Sequence, residues 1–145
     1  MPVRPLEFDD LNQKFYDLVA QSKDSDFTIQ ISSEHRNKCW DKYTQDQNLA
    51  VYVYSDKDHG IAGVVSIVIS PKIFLYNESF ATIQQIVIDK NFQNSNIGAS
   101  LVKRCINHSK KMKCARVVCV CETKNVQFYE RCGFNKCSYL MEKVL

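Results

Sequence analysis

Residues 49–54 (LAVYVY) and 61–70 (IAGVVSIVIS) are two runs of β-branched and aromatic side chains with little between them but DKDHG. Such runs favour extended backbone, and a short Asp/Gly cluster between them favours a tight turn. This is the strongest constraint in the chain, because it predicts a long antiparallel hairpin around which the rest must pack. Residues 79–89 (SFATIQQIVID) predict a third long strand. Residues 97–112 predict an amphipathic helix with Leu101, Val102, Cys105 and Ile106 inward. Residues 115–121 (ARVVCVC) lack polar alternation after Arg116 and predict a buried central strand. A short helix over residues 124–131 is ended by Cys132-Gly133-Phe134, and residues 136–145 suggest a closing strand.

Upstream, residues 3–6 (VRPL) predict a short strand that Pro5 confines to an edge. Asp9 or Asp10 is a candidate cap for a helix carrying Leu11, Phe15, Leu18 and Val19, and Ser33 for a second helix through Trp40 and Tyr43. There is no linker, repeat or low-complexity stretch. The order of elements predicts one α/β domain over residues 1–145, built on a mixed, mostly antiparallel sheet flanked by helices.

Composition narrows the function. The 145 residues match one domain by the prior of ~100–200 residues each, large enough to hold together without disulfides or a metal. Nineteen basic against 16 acidic residues is too balanced for a nucleic-acid groove or a membrane-bound basic surface. No apolar run approaches the ~20 residues of a membrane span. The start MPVRPLEFDD lacks the apolar core of an export signal, and the seven cysteines are odd in number. Free thiols in a reducing cytoplasm are therefore expected. No C-x-x-C pair occurs, so no metal site is expected.

Two stretches carry candidate chemistry. Residues 91–96 (NFQNSN) run straight into a helix at Ile97-Gly98. Small and amide residues at a helix start leave backbone N–H groups uncovered, and the helix dipole favours negative charge there. The site suits an anion such as a pyrophosphate; a capped, solvated loop has the same local pattern. In residues 125–134 (NVQFYERCGF), Phe128 and Phe134 read as core. Tyr129 points another way round the helix, where a phenol can protonate a leaving thiolate. A packed tyrosine with a satisfied hydroxyl is the plainer alternative.

Together these stretches resemble the GNAT superfamily of N-acetyltransferases, and within it the glucosamine 6-phosphate N-acetyltransferases. The superfamily's acetyl-CoA motif is Q/R-x-x-G-x-G/A after a strand; here it reads Gln93-Asn94-Ser95-Asn96-Ile97-Gly98. Asn96 stands at the middle glycine, where an asparagine tolerates positive φ better than most residues. The N-V-x-F-Y-E-x-C-G-F segment is the more specific match. The resemblance implies a GNAT fold with acetyl-CoA as co-substrate. Ile86, Val87 and Ile88 would meet the pantetheine arm, and residues Gln93 to Ala99, Ile97 included, the pyrophosphate. Asn125, Tyr129, Glu130 and Arg131 would lie at the cofactor, with Tyr129 near the sulfur. Lys72, in the segment with Ile73 and Phe74, matches a lysine that binds the sugar phosphate, and Ser22 falls near a hydroxyl residue that contacts substrate. The implied partner is a small amino sugar phosphate, on the route to UDP-N-acetylglucosamine. A homodimer whose C-terminal segments meet, here residues 139–145 (YLMEKVL), is implied as well.

Gln84 and Gln85 replace an acidic pair of that family, and Val120 replaces an aspartate. Glutamine accepts a hydrogen bond but is no useful base, so Gln84 and Gln85 are expected to orient the acceptor amine, with Gln84 assigned to the reaction. Glu78 and Glu122 are the unassigned carboxylates nearby in sequence. A lysine amine, with pKa ~10.4, is almost wholly protonated near pH 7, whereas an α-amino group at ~7.7–8.0 is partly neutral. The departures thus fit an already weakly basic amine such as an amino sugar, a slower enzyme, or a base placed elsewhere in the chain. A different acceptor (amino acid, polyamine or peptide) and a silent acetyl-CoA-binding module remain the alternatives.

Overall fold

The computed structural model describes residues 2–22, 30–70, 78–93 and 95–145. They build one five-stranded sheet in the order β1-β2-β3-β4-β5. The strands are β1 (Val3–Pro5), β2 (Leu49–Asp56), β3 (Gly60–Ser70), β4 (Phe80–Ile88) and β5 (Arg116–Cys119). The first three pairings are antiparallel, and β5 joins β4 in parallel. The helices are α1 (Gln13–Ala20), α2 (Ser33–Gln45), α3 (Ile97–Lys111) and α4 (Val126–Arg131). The expected mixed α/β architecture is what forms. No helix of the described residues is long and apolar enough to cross a membrane.

The hairpin turn is made by its own side chains. The Asp56 carboxylate accepts the backbone N–H groups of Asp58 and His59, each at 3.0 Å, and Gly60 supplies a φ of +75°. Consecutive residues then send side chains to opposite faces. Tyr52 and Val65 join a core with Leu101, Val102 and Cys105 of α3, while Val53 and Val64 join another with Phe15 and Leu18 of α1. A sheet covered on both faces explains why β3 reads as continuous apolar sequence.

Two irregularities interrupt the ladder. Ser55 faces Ile61 while Tyr54 faces Gly63, so Ala62 is an extra residue on β3. Ser66 faces Gln85 while Ile67 faces Ile83, so Gln84 is an extra residue on β4. Extra residues bend a strand and disturb its pairing. The β4–β5 ladder ends at Ile83↔Cys119, next to the extra Gln84.

Several expectations are corrected. Neither Asp9 nor Asp10 caps α1; Asn12 does, its side-chain oxygen accepting the Phe15 N–H at 3.2 Å. Asp10 is instead held by Arg4 through two hydrogen bonds of 2.7 and 2.8 Å and by the Glu7 N–H at 2.8 Å. Ser32 rather than Ser33 caps α2. β5 is shorter than expected and half-exposed, with Val120 64% exposed just beyond it. It lies at an edge of the described sheet, because residues 134–145 form neither helix nor strand and pair no strand to it. Apolar sequence in β5 and in residues 136–145 predicted burial, but within one copy Tyr139, Leu140, Met141, Val144 and Leu145 are exposed.

Candidate active site

Where β4 and β5 part, a cleft of about 690 Å³ opens. One wall is β4, through Ile86 and Ile88; the second is the turn into α3, through Gln93, Ser95, Asn96, Gly98 and Ala99. The third is α4 and the turn before it, through Lys124, Asn125, Gln127, Phe128, Tyr129, Arg131 and Cys132. Because β5 has left the ladder, the backbone edge of β4 beyond Ile83 is open to an extended ligand.

One end of this cleft is built for negative charge. Asn96 precedes α3 without any side-chain hydrogen bond to the helix, so the N–H groups of the first turn stay uncapped. The helix runs 15 residues, and its dipole places partial positive charge at that end. Arg131 adds a full charge and Lys124 a second that it shares with Glu122 outside the lining, and no carboxylate lines the cleft among the described residues. Asn96 does not adopt the positive φ expected of a glycine surrogate; its φ is −78°. The turn closes by ordinary hydrogen bonds instead. Ser95 donates both its backbone N–H, at 3.1 Å, and its hydroxyl to the Phe92 carbonyl. Gly98 is required by packing. A Cβ there would lie 2.9 Å from Ile88 Cδ1 and 3.1 Å from Phe128 Cζ, so its absence lets α3 approach both walls.

The second candidate group is Tyr129, which lines the same cleft. Its ring is 6% exposed, edge-on to Phe128 at 5.0 Å and to Phe134 at 5.6 Å. Burial pushes its phenol far above the ordinary tyrosine range, with the thiols of Cys119, Cys121 and Cys132 adding to the effect. The hydroxyl therefore stays protonated and available as a donor. Gly133, with φ of +93°, reverses the chain so that the Phe134 N–H reaches the Tyr129 carbonyl at 3.0 Å. Two nearby thiols are held in their protonated form. Burial pushes Cys119 up to about 11 and raises Cys132 despite Arg131. All seven cysteines are free, and no metal-holding group of three or more His, Cys, Asp or Glu occurs among the described residues.

The remaining candidates divide. Gln84 and Gln85 are both exposed and lie outside the lining of the cleft, as does Ser22, whose hydroxyl accepts from the Gln85 amide at 2.8 Å and joins the end of α1 to β4. Val87 does not line the cleft; the turn of the strand sends it to the opposite core with α1. Ile97 is 3% exposed within the first core, and Glu130 is exposed on the outer side of α4. Glu78 pairs with Arg116 at 3.5 Å and Glu122 with Lys124 at 3.1 Å, and neither lines the cleft. Lys72, Ile73, Phe74 and Asn94 lie outside the described residues. Sequence reasoning missed Lys124 and Gln127. Their spacing with Phe128 and Arg131, three or four residues apart where a short helix was expected, was the available signal, although Lys124 lies in the turn before α4.

Residues 12–134 match the model of the acetyltransferase (GNAT) family. Two similar relatives are the glucosamine 6-phosphate N-acetyltransferase of Arabidopsis thaliana and glucosamine 6-phosphate N-acetyltransferase 1 of Dictyostelium discoideum. The first is 26% identical over 97% of this chain and 94% of its own length, the second 23% identical over 92% and 83%. The crystal structure of the Arabidopsis glucosamine-6-phosphate N-acetyltransferase superposes with a TM-score of 0.88 at 24% identity, covering 98% of this chain and 96% of that one.

Proposed function

The chain belongs to the acetyltransferase (GNAT) family, and from that premise we propose that it transfers the acetyl group of acetyl-CoA to the amine of glucosamine 6-phosphate. One observation carries this reading: a single cleft joins an uncapped helix end, two cations, an open strand edge and the protonated Tyr129 hydroxyl. An acyl thioester on an extended arm ending in phosphates needs those four features in that arrangement. The acceptor is assigned by likeness to the relatives named for that sugar phosphate.

Acetyl-CoA would be held with its pyrophosphate at the first turn of α3, beside Lys124 and Arg131. Its pantetheine arm would lie along Ile86 and Ile88, with backbone N–H groups of that edge available to the thioester oxygen. The neutral amine nitrogen bonds to the thioester carbon, and the carbon–sulfur bond breaks. The Tyr129 hydroxyl gives its proton to the departing thiolate, and the proton lost from nitrogen restores the phenol. Neutral amine and thioester thus become amide and thiol with no net proton change. Gln84 and Gln85 would orient the amine, Ser22 would support them, and Lys72, with Ile73 and Phe74, would meet the sugar phosphate.

We also propose a homodimer in a reducing compartment. The exposed apolar side chains of residues 139–145 and the exposed flank of β5 support the pairing, and seven free cysteines support the compartment. A thiol-release assay with a panel of amines tests the activity. Turnover of glucosamine 6-phosphate is expected; turnover of another amine with none on the sugar phosphate would replace the acceptor. Gln84, Gln85 and Val120, which supply no carboxylate to the acceptor side, are the support for that second reading.

A further inference from the structure

The anion-binding turn is supported from outside the cleft. Phe92 is its pivot: its carbonyl takes both hydrogen bonds from Ser95, a residue of the cleft wall, and its ring packs against the first core. The outer side of that ring is met by His59, edge-on, with centroids 5.5 Å apart at 74°. His59 belongs to the tip of the β2–β3 hairpin, an element that contributes nothing to the cleft lining. Its own ring is fixed, since Asp56 Oδ1 accepts from His59 Nδ1 at 2.8 Å. Asp56 is a pure acceptor, so Nδ1 carries the hydrogen and the bond turns that edge of the ring toward Asp56. Further along, the turn is tied to β3 by the Asp89 N–H on the Ala62 carbonyl at 2.9 Å. The hairpin therefore holds the turn at two points, one of backbone and one of side chain.

We infer that His59 is a positioning residue for the cofactor, holding Phe92 and through it Ser95 and the first turn of α3 against the cleft. This rests on the acetyl-CoA reading above. Edge-to-face aromatic pairs are worth enough to change an affinity about 3- to 10-fold when the order they impose is needed for binding. The side chain is 64% exposed, so replacing it removes the contact without emptying a core.

The full chain is compared as wild type, His59→Ala and His59→Phe. Titration calorimetry with CoA and steady-state kinetics with acetyl-CoA and the amine provide the main readouts. His59→Ala should raise the CoA dissociation constant and the KM for acetyl-CoA about 5-fold, while kcat and the amine KM change less than about 2-fold. His59→Phe, which keeps a ring against Phe92, should restore most of the affinity. Backbone amide exchange at Ser95 and Asn96, measured without ligand, should quicken in His59→Ala alone. Wild-type affinity in His59→Ala, or equal loss in His59→Phe, overturns the inference. Failure of the wild type to bind CoA overturns the proposed function instead, and the ligand-free exchange rates still decide whether His59 orders the turn.

Discussion

Gln85 donates a side-chain N–H to the hydroxyl oxygen of Ser22 at 2.8 Å, linking the open edge of β4 to the end of α1. Ser22 Oγ in turn donates its only hydrogen to the Val19 carbonyl at 2.7 Å. The hydroxyl can therefore only accept from Gln85, which fixes the amide with its nitrogen toward Ser22 and leaves its oxygen without a partner among the described residues. A free carbonyl oxygen is what an amine N–H requires of its neighbour. Gln85→Leu is expected to lower kcat/KM for the amine about 3- to 10-fold, the worth of one hydrogen bond, with little effect on the KM for acetyl-CoA. Ser22→Ala should show a smaller loss of the same kind. Kinetics with each substrate varied in turn separate these outcomes.

Tyr129→Phe should lower kcat by about 10²–10⁴-fold and leave CoA affinity nearly unchanged, since the ring contacts remain and only the donor is lost. The pH profile gives a second check. Only the protonated phenol donates, and burial raises its pKa, so its loss is displaced upward. No fall in kcat from this group is expected below the ordinary tyrosine value of ~10. A basic limb near pH 8 that disappears in Tyr129→Phe would contradict the assignment.

Gly98→Ala tests the wall of the cleft. The added methyl meets Ile88 Cδ1 and Phe128 Cζ, so one of the two walls must shift. Overpacking of this kind costs about 1–3 kcal/mol. Reduced thermal stability and weaker CoA binding are expected together, measured by calorimetric unfolding and by titration.

The Arg4–Asp10 pair predicts acid sensitivity. Burial alone would raise the Asp10 pKa, but the hydrogen bonds from Arg4 and the Glu7 N–H outweigh it and hold it below the usual value. A lowered folded-state pKa gives stability that is fully present above the unfolded value of ~3.9 and fades as pH falls through the folded one. Asp10→Asn should therefore be less stable than wild type at pH 7, and the difference should shrink below about pH 4. Denaturant unfolding across that range measures it.

Deleting residues 139–145 should convert the proposed dimer to a monomer. Five exposed apolar side chains lie there, and their removal takes nothing from the two cores. Light scattering before and after the deletion decides it; a wild-type monomer would remove the dimer proposal.

Elements with strong periodicity could be read from the chain alone. β2, β3 and β4 were legible because β-branched runs bounded by a turn cluster leave the backbone few choices, and α3 because its apolar stripe keeps one helical face. Residues 91–98 and 125–134 were legible as candidate chemistry because backbone donors at a helix start and a tyrosine beside packed aromatics depend on near neighbours in the chain. The rest depends on contacts between distant segments. The extra residue at Gln84 shows in the pairing of β4 with β3 and not in β4 alone, yet it adjoins the point where β5 leaves and the cleft opens. Asp10 looked like a cap until Arg4 claimed it. His59 meets Phe92, and Gln85 meets Ser22, across 33 and 63 positions of chain. Local pattern reports which face of an element is apolar; which distant element covers it is settled by packing, where both partners exist at once.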